Sequence, residues 1–114
     1  MTDIEITDLP ATVRSHLVAH TARDTGTALA AFTEDAEVTD EGRTHRGTEE
    51  IRDWLEHSSS EYTFTTELTG AQRTDDEHWV VTSHLEGDFP GGVVDLQYRF
   101  TLRGDRIAVL TIAP

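Results

Sequence analysis

The sequence predicts a single soluble α+β domain in which three N-terminal helices close one side of a curved antiparallel sheet. Three observations predict this class. Apolar residues recur with a helical period in the first half of the chain and with a period of two in the second half. Tight turns join the four alternating segments of the second half, as antiparallel neighbours require. A length of 114 residues with 36% apolar residues suits one domain, 1–114, with one core.

The chain is strongly acidic. Asp and Glu number 22 against 9 basic residues, all of them arginine, and the formal net charge is −13. Because such a surface repels phosphate backbones, we expect no nucleic-acid partner. No apolar run reaches the length of a signal peptide or a membrane span, so we expect no membrane partner and a cytoplasmic protein. The sequence has no cysteine, which excludes disulfides and thiolate chemistry.

The first predicted helix covers residues 9–21. Asp8 is suited to cap it, and Pro10 fits only within its first turn. Its apolar stripe includes two histidines, which must find a partner or water there. The stripe consists of Leu9, Val13, His16, Leu17 and His20.

Two further helices are predicted before residue 61. Asp24 is the expected cap of a short second helix, and Thr48 begins the third, where Glu49 and Glu50 suit the positive end of the helix dipole. Serines 58–60 are expected to end the third helix. The apolar faces are Ala28, Leu29 and Phe32 in the second helix, and Ile51, Trp54 and Leu55 in the third.

A short strand, 36–40, is predicted between the second and third helices, because Ala36, Val38 and Asp40 alternate with polar residues. Residues 41–47 are polar and are predicted as a turn.

Four longer strands follow from residue 62 onward, separated by turns at 74–77, 89–92 and 104–105. Strands of about ten residues must twist, and a curled sheet covered by helices encloses a cavity. The inward faces of the first three are predicted to be Tyr62, Phe64, Thr66 and Leu68, then Trp79, Val81, Ser83 and Leu85, then Leu96, Tyr98, Phe100 and Leu102; the fourth covers Ile107 to Ile112.

Several stretches resemble a known family. They are Phe32-Thr-Glu-Asp-Ala-Glu-Val-Thr-Asp40 with the following Gly47, Ile51 and Trp54, and Gly87-Asp-Phe-Pro-Gly-Gly92 with Leu96-Gln-Tyr-Arg-Phe100 and Arg106-Ile107. They resemble the SnoaL-like branch of the nuclear transport factor two-like superfamily, over nearly the whole chain. The resemblance implies a cone-shaped sheet, the cystatin-like α+β barrel. That superfamily includes ketosteroid isomerase and polyketide cyclases as well as non-catalytic binding and dimerisation domains, so fold does not settle function.

The resemblance can be followed residue by residue to ketosteroid isomerase. Asp40 matches the general-base aspartate of that enzyme. His16 stands where the enzyme has its oxyanion-stabilising tyrosine, and Leu96 stands where it has a second acid. One part is retained, one is replaced by another proton donor and one is lost, so steroid isomerisation is not expected.

Asp40 is the strongest catalytic candidate by its own pattern. It points the same way as Val38, towards the core, where a carboxylate becomes a stronger base than it is in water. Such a base can remove a proton next to a carbonyl group. If His16 converges on the same pocket, it supplies a donor to the developing oxyanion. The structural alternatives are that Asp40 caps the turn at Glu41-Gly42 and that the buried histidines bond to backbone.

The expected pocket wall is largely aromatic, although such residues are often simply core. No cofactor and no metal site is predicted, and zinc at the i, i+4 pair His16 and His20 is the alternative. The predicted pocket-lining residues are His20, Phe32, Trp54, Tyr62, Phe89 and Tyr98.

The sequence therefore predicts a small-molecule pocket protein. Its expected activity is cofactor-free proton transfer, of isomerase or cyclase type, on a small hydrophobic carbonyl compound; the alternative is a non-catalytic ligand-binding or dimerisation domain. A homodimer through the outer sheet face is also expected, because Thr82, His84, Gln97 and Thr101 form a face with less charge than the rest of the chain.

Overall fold

The structure, a computed structural model, describes residues 2–60 and 64–114. Within these ranges the chain forms three α-helices and seven strands. In chain order the elements are β1 (Thr2–Ile4), a 3-10 helix (Ile6–Asp8), α1 (Ala11–Thr21), α2 (Thr25–Ala30), β2 (Phe32–Asp40), β3 (Arg43–Arg46), α3 (Gly47–Ser60), β4 (Phe64–Arg73), β5 (His78–Gly87), β6 (Val93–Arg103) and β7 (Arg106–Ala113).

The strands form one curved, open sheet in the order β1-β4-β5-β6-β7-β2-β3. The predicted α+β fold is confirmed, and the four long strands pair antiparallel as their turns require. The sheet is mixed, however, because β2 runs parallel to β7 from Phe32 beside Ile107 to Asp40 beside Ile112. Tight turns predict the direction of strands that are neighbours in sequence, and β2 and β7 are not.

The helices match their predicted positions with small shifts. Helix α1 begins at Ala11, after Pro10, and ends at Thr21. The predicted cap of α2 is confirmed, since Asp24 Oδ1 accepts a hydrogen bond from the Thr27 backbone N–H at 3.3 Å. The placement of Phe32 on the second helix was wrong. The Ile107 N–H donates to the Ala31 carbonyl at 2.8 Å, so the chain has already joined the sheet there and Phe32 begins β2.

The polar stretch predicted as a turn contains a strand. Glu41 (φ 54°) and Gly42 (φ 76°) form a tight turn in the left-handed region, and β3 then pairs back onto β2. The hydroxyls of Thr39 and Thr44 lie 3.0 Å apart across this hairpin. Strand β3 is mostly exposed at the edge of the sheet, so its sequence lacks the apolar alternation of a buried strand.

The core lies between the helices and the inner face of the sheet. The predicted stripe of α3 is confirmed, with Ile51 0%, Trp54 5% and Leu55 2% exposed. The inward faces of β5 and β6 also agree with the alternation in sequence, and Tyr62 lies outside the described residues. No helix among the described residues is long and apolar enough to cross a membrane. Residues less than 2% exposed include Val13, Val38, Val81, Phe100, Ile107 and Leu110.

Candidate functional site

One cavity of about 740 Å³ opens where the last turn of α1, the end of β2 and the β5–β6 hairpin meet. Four polar side chains lie in its wall: His20, Asp40, Glu41 and Tyr98. The rest of the wall is mostly apolar, and includes Phe64, Leu85, Phe89, Val94, Leu96 and Ile112. This combination of an apolar wall with a few polar groups is typical of a small-molecule site.

Asp40 is the last residue of β2, and its carboxylate is hydrogen-bonded to a side chain of α3. The indole Nε1–H of Trp54 donates to Asp40 Oδ2 at 3.0 Å. The Trp54 ring is buried and also packs against the His20 ring, with centroids 5.4 Å apart. One tryptophan therefore orients the carboxylate and contacts a second polar residue of the wall. The other carboxylate oxygen has no hydrogen-bond partner within residues 2–60 and 64–114 and remains open to a ligand.

The two histidines of α1 differ in depth. His16 is 1% exposed, and its ring makes edge contacts with Phe32 at 4.9 Å and Phe100 at 6.1 Å. Its Nδ1 lies 3.2 Å from the Ala28 carbonyl, so Nδ1 carries the proton and donates. His16 therefore lies in the core, and His20, one turn further along α1, is the histidine in the cavity wall.

Both histidines are neutral at pH 7. Burial, helped by the neighbouring His20, lowers the pKa of His16 to about 4 although the hydrogen bond to Ala28 opposes this shift. Burial also lowers the pKa of His20, and the charge of Asp40 opposes this. A neutral imidazole has one N–H donor and one acceptor nitrogen, so His20 brings an uncharged polar group to the cavity wall.

Tyr98, which the sequence predicts only as part of the wall, adds a hydrogen-bond donor to it. Burial, together with the charge of Asp40, raises the pKa of its phenol to about 12. The hydroxyl therefore keeps its proton, and the described part of the chain gives it no hydrogen-bond partner. Tyr98 is opposite Ile112 and Ile112 is beside Asp40, so the backbones of Tyr98 and Asp40 lie in one row, two strand spacings or about 10 Å apart, and their side chains share one face of the sheet.

Of the remaining predicted pocket residues, some lie in the cavity wall and others do not. Phe89 lines the cavity from the β5–β6 hairpin, whose turn is closed by a Gly87 N–H to Gly92 carbonyl bond of 3.0 Å. Phe32 is in the core, because it begins a strand, and it borders a different groove, between α2 and α3. Tyr62 falls outside the described residues. Leu96, which the resemblance aligns with a second acid, is an apolar part of the wall.

The sequence reasoning missed Glu41 and Phe64 as wall residues. The sequence predicts Glu41 only as part of a turn, and the tight turn places this residue in the wall of the same cavity as Asp40. Phe64 shares a strand face with Tyr62 and Leu68 in the predicted alternation, which could have identified it as a wall residue. The part of the chain that the structure describes contains no group of three or more His, Asp or Glu side chains arranged to hold a metal ion.

Comparison with known proteins gives a consistent result. The sequence profile of the SnoaL-like domain matches residues 13–110. The crystal structure of a candidate polyketide cyclase from Sinorhizobium meliloti is 32% identical, with a TM-score of 0.89 over 96% of this chain and 100% of that one.

Two more distant structures show the fold alone. A protein with a ketosteroid isomerase-like fold from Catenulispora acidiphila, solved with trimethylamine, is 20% identical, with a TM-score of 0.80 over 92% of this chain and 85% of that one. A protein from Mycobacterium tuberculosis, solved with estradiol-17beta-hemisuccinate, is 14% identical, with a TM-score of 0.75 over 90% of each chain. No curated protein matches this chain.

Proposed function

This chain belongs to the SnoaL-like domain family, and from that premise we propose that it uses its cavity for cofactor-free proton transfer on a small hydrophobic carbonyl compound. The reaction is of isomerase or cyclase type. The observation that carries the proposal is the cavity itself, since one oriented carboxylate, Asp40, shares an apolar wall with two neutral donors, His20 and Tyr98.

In the proposed step Asp40 accepts a proton from the carbon next to the substrate carbonyl. The C–H bond breaks, its electron pair forms a carbon–carbon double bond, and the carbonyl π electrons move to oxygen. The Tyr98 hydroxyl or the His20 ring donates a hydrogen bond to that oxygen as its charge develops. In a substrate with a carbon–carbon double bond next to that carbon, the oxygen electrons then re-form the carbonyl and the new double bond moves into conjugation with it. The far carbon of the original double bond takes the proton from Asp40, which completes an isomerisation and regenerates the carboxylate.

The donor expected at His16 has a different role in this proposal. With 1% exposure and its Nδ1–H bonded to Ala28, His16 cannot reach a ligand without unpacking α1. We therefore assign the donor role to His20 and Tyr98, and we treat His16 as a core residue that supports His20. The two imidazole rings are stacked with centroids 5.9 Å apart.

The test follows exchange of carbon-bound hydrogen, which does not require the product to be known. A panel of neutral ketones, from cyclohexanone to 2-tetralone, is incubated with the protein in D₂O, and deuterium uptake next to the carbonyl is measured by NMR. Asp40→Asn keeps the size of the side chain and an oxygen for the Trp54 N–H. It should slow catalysed exchange by roughly 10²–10⁴-fold, the usual contribution of a general base.

Asp53→Asn is the matched control, since Asp53 is exposed on α3, is absent from the cavity wall and gives the same change in net charge. The melting temperature of each variant shows whether it is folded. Exchange in Asp40→Asn as fast as in the unaltered protein would refute Asp40 as the base.

A second candidate function is ligand binding without chemistry. It is favoured by Leu96, because the cavity has an apolar side chain where the resemblance puts a second acid. Ketones that bind the cavity, with no exchange above the buffer rate, would support this candidate over the first.

We also propose a homodimer through the outer sheet face. Of the four residues expected there, Thr82 and Gln97 are opposite each other at its centre, in an uncharged row that continues to Gly70 on β4 and Ala113 on β7. His84, in the next row, bonds to Asp95 at 2.6 Å and to Glu86 at 3.1 Å. A two-fold axis through the uncharged row would keep these like-charged groups of the two copies apart.

A further inference from the structure

The formal charges in the cavity wall are all negative. The charged residues of the wall are Asp40 and Glu41, and no arginine is among the wall residues that the structure describes. The other two polar wall residues are uncharged near neutral pH, because burial lowers the pKa of His20 and raises the pKa of Tyr98 to about 12. Nothing in the described wall therefore neutralises a bound anion.

The arginines that make ion pairs do so outside the cavity. Arg46 pairs with Glu37 at 3.2 Å and Arg103 with Asp35 at 3.1 Å, all of them exposed or half-exposed residues. Among residues 2–60 and 64–114, the donor to Asp40 is the neutral indole of Trp54, which satisfies one oxygen without neutralising its charge. A buried or half-buried carboxylate without a cation is stabilised by any ligand that brings one.

The apolar part of the wall suits the same ligand chemistry. Phe64, Phe89 and Tyr98 contribute aromatic rings to one cavity. Ring faces attract ammonium groups and their alkyl substituents, most strongly where water is excluded. An alkyl or aryl body would fill the apolar wall, and a cationic end would meet Asp40 and Glu41.

We propose that this cavity selects its ligand by charge, and that it binds compounds carrying a protonated amine on an apolar body in preference to neutral analogues and to the exclusion of carboxylates. This inference rests on the proposed function only in taking the cavity as the ligand site. It does not require Asp40 to act as a base. An ammonium group paired with Asp40 occupies the carboxylate that proton transfer needs, so such an amine inhibits that reaction.

The test uses three probes of equal size that differ in charge: 4-phenylbutylamine, 4-phenylbutanol and 4-phenylbutyrate. Their affinities for the complete chain are measured at pH 7 by titration calorimetry, with ligand-observed NMR for weak binding. The amine should bind roughly tenfold or more tightly than the alcohol, the usual gain from one charge-assisted contact, and the carboxylate at least roughly tenfold more weakly.

Variants locate the source of the preference. Asp40→Asn should bring the amine and alcohol affinities together, and Glu41→Gln should reduce their ratio in part. Asp53→Asn changes the net charge equally, at an exposed position outside the cavity, and should leave the ratio unchanged. The ratio should also persist at 0.3 M NaCl, which screens the distant charges of the −13 chain more than a contact pair.

Each result decides between the two proposals. Equal binding of amine and alcohol overturns charge selection and leaves the cavity as a ligand site. If the amine preference instead falls as much in Asp53→Asn as in Asp40→Asn, or disappears at 0.3 M NaCl, it comes from the electrostatic field of the whole chain. Either result would also overturn the inference. If none of the three probes binds, the cavity is not a site for ligands of this class, and charge selection and the proposed pocket role both fail.

Discussion

Replacement of His16 by phenylalanine should remove part of the pH dependence of folding stability. His16 is 1% exposed and packs against two aromatic rings, so a phenyl ring fits the same surroundings. Burial holds its pKa at about 4 in the folded protein, against an ordinary value of 6.5. Folding therefore favours the neutral imidazole, and protonation opposes folding.

The sign and size follow from these two values. Above pH 6.5 the ring is neutral in both states, so its contribution to stability is fully present. As the pH falls from 6.5 towards 4, the unfolded chain takes up a proton that folded His16 does not, and stability is lost. At pH 4.5 the loss relative to pH 7.5 is about 2–3 kcal/mol, and below about 4 it levels off as folded His16 is protonated too.

The assay is urea unfolding between pH 4.5 and 7.5 for the unaltered protein and His16→Phe. The difference between the two curves cancels the many carboxylates, which titrate in both proteins. At pH 7.5 the variant should lose about 1 kcal/mol at most from the hydrogen bond to Ala28. At pH 4.5 it should be the more stable protein, by about 1–2 kcal/mol. Burial also lowers the pKa of His20, which remains in both proteins, so its contribution to the pH dependence of stability remains in both.

His57→Gln is the matched control, because it removes an exposed histidine from the end of α3. It keeps the buried ring of His16, so the loss of stability that this ring causes between pH 7.5 and 4.5 should remain. If His16→Phe showed the same loss, with parallel curves, the attribution of the pH dependence to the buried ring would be refuted.

Two other predictions concern the sheet. The Ser83 hydroxyl is buried and has no hydrogen-bond partner among the described residues, so Ser83→Ala should raise the free energy of unfolding in urea by about 1 kcal/mol; a loss of similar size would mean that the hydroxyl is bonded. Light scattering at micromolar concentration should give twice the mass of the 12.7 kDa chain, and Gln97→Arg should give the monomer mass by placing like charges at the proposed two-fold axis, whereas Asp53→Arg should not. A monomer mass for the unaltered protein would contradict the dimer.

Much of the fold could be predicted because buried apolar residues recur with the period of the helix or strand that carries them. The stripe of α3 and the inward faces of β5 and β6 follow from apolar spacing alone. Strands β1 and β3 could not be found in this way, because both are short, lie at the sheet edges and are mostly exposed. The parallel pairing of β2 with β7 was equally hidden, since no turn connects the two strands.

The sequence predicts which way the side chains of the candidate site point, but not how deeply each is buried. Strand alternation correctly turned Asp40 towards the interior, and the structure has it in the cavity wall. Helical spacing placed His16 and His20 on one stripe without showing that one turn of α1 separates the core from the cavity. The donor at Tyr98 depends on the row it shares with Asp40 through Ile112, which is a property of pairing across three strands.

The parallel pair also has a consequence for how the protein is made. Strand β2 acquires its neighbour β7 only when residues 107–112 have left the ribosome, about seventy residues after β2 itself. Until then the helices have a partial sheet to pack on, and the edge of β2 that β7 will cover is open to other strands. Contacts that span so much of the chain slow folding. We therefore expect this domain to finish folding only after β7 has emerged, with the cavity among the last parts to form, because β7 lies between Asp40 and Tyr98 in the sheet.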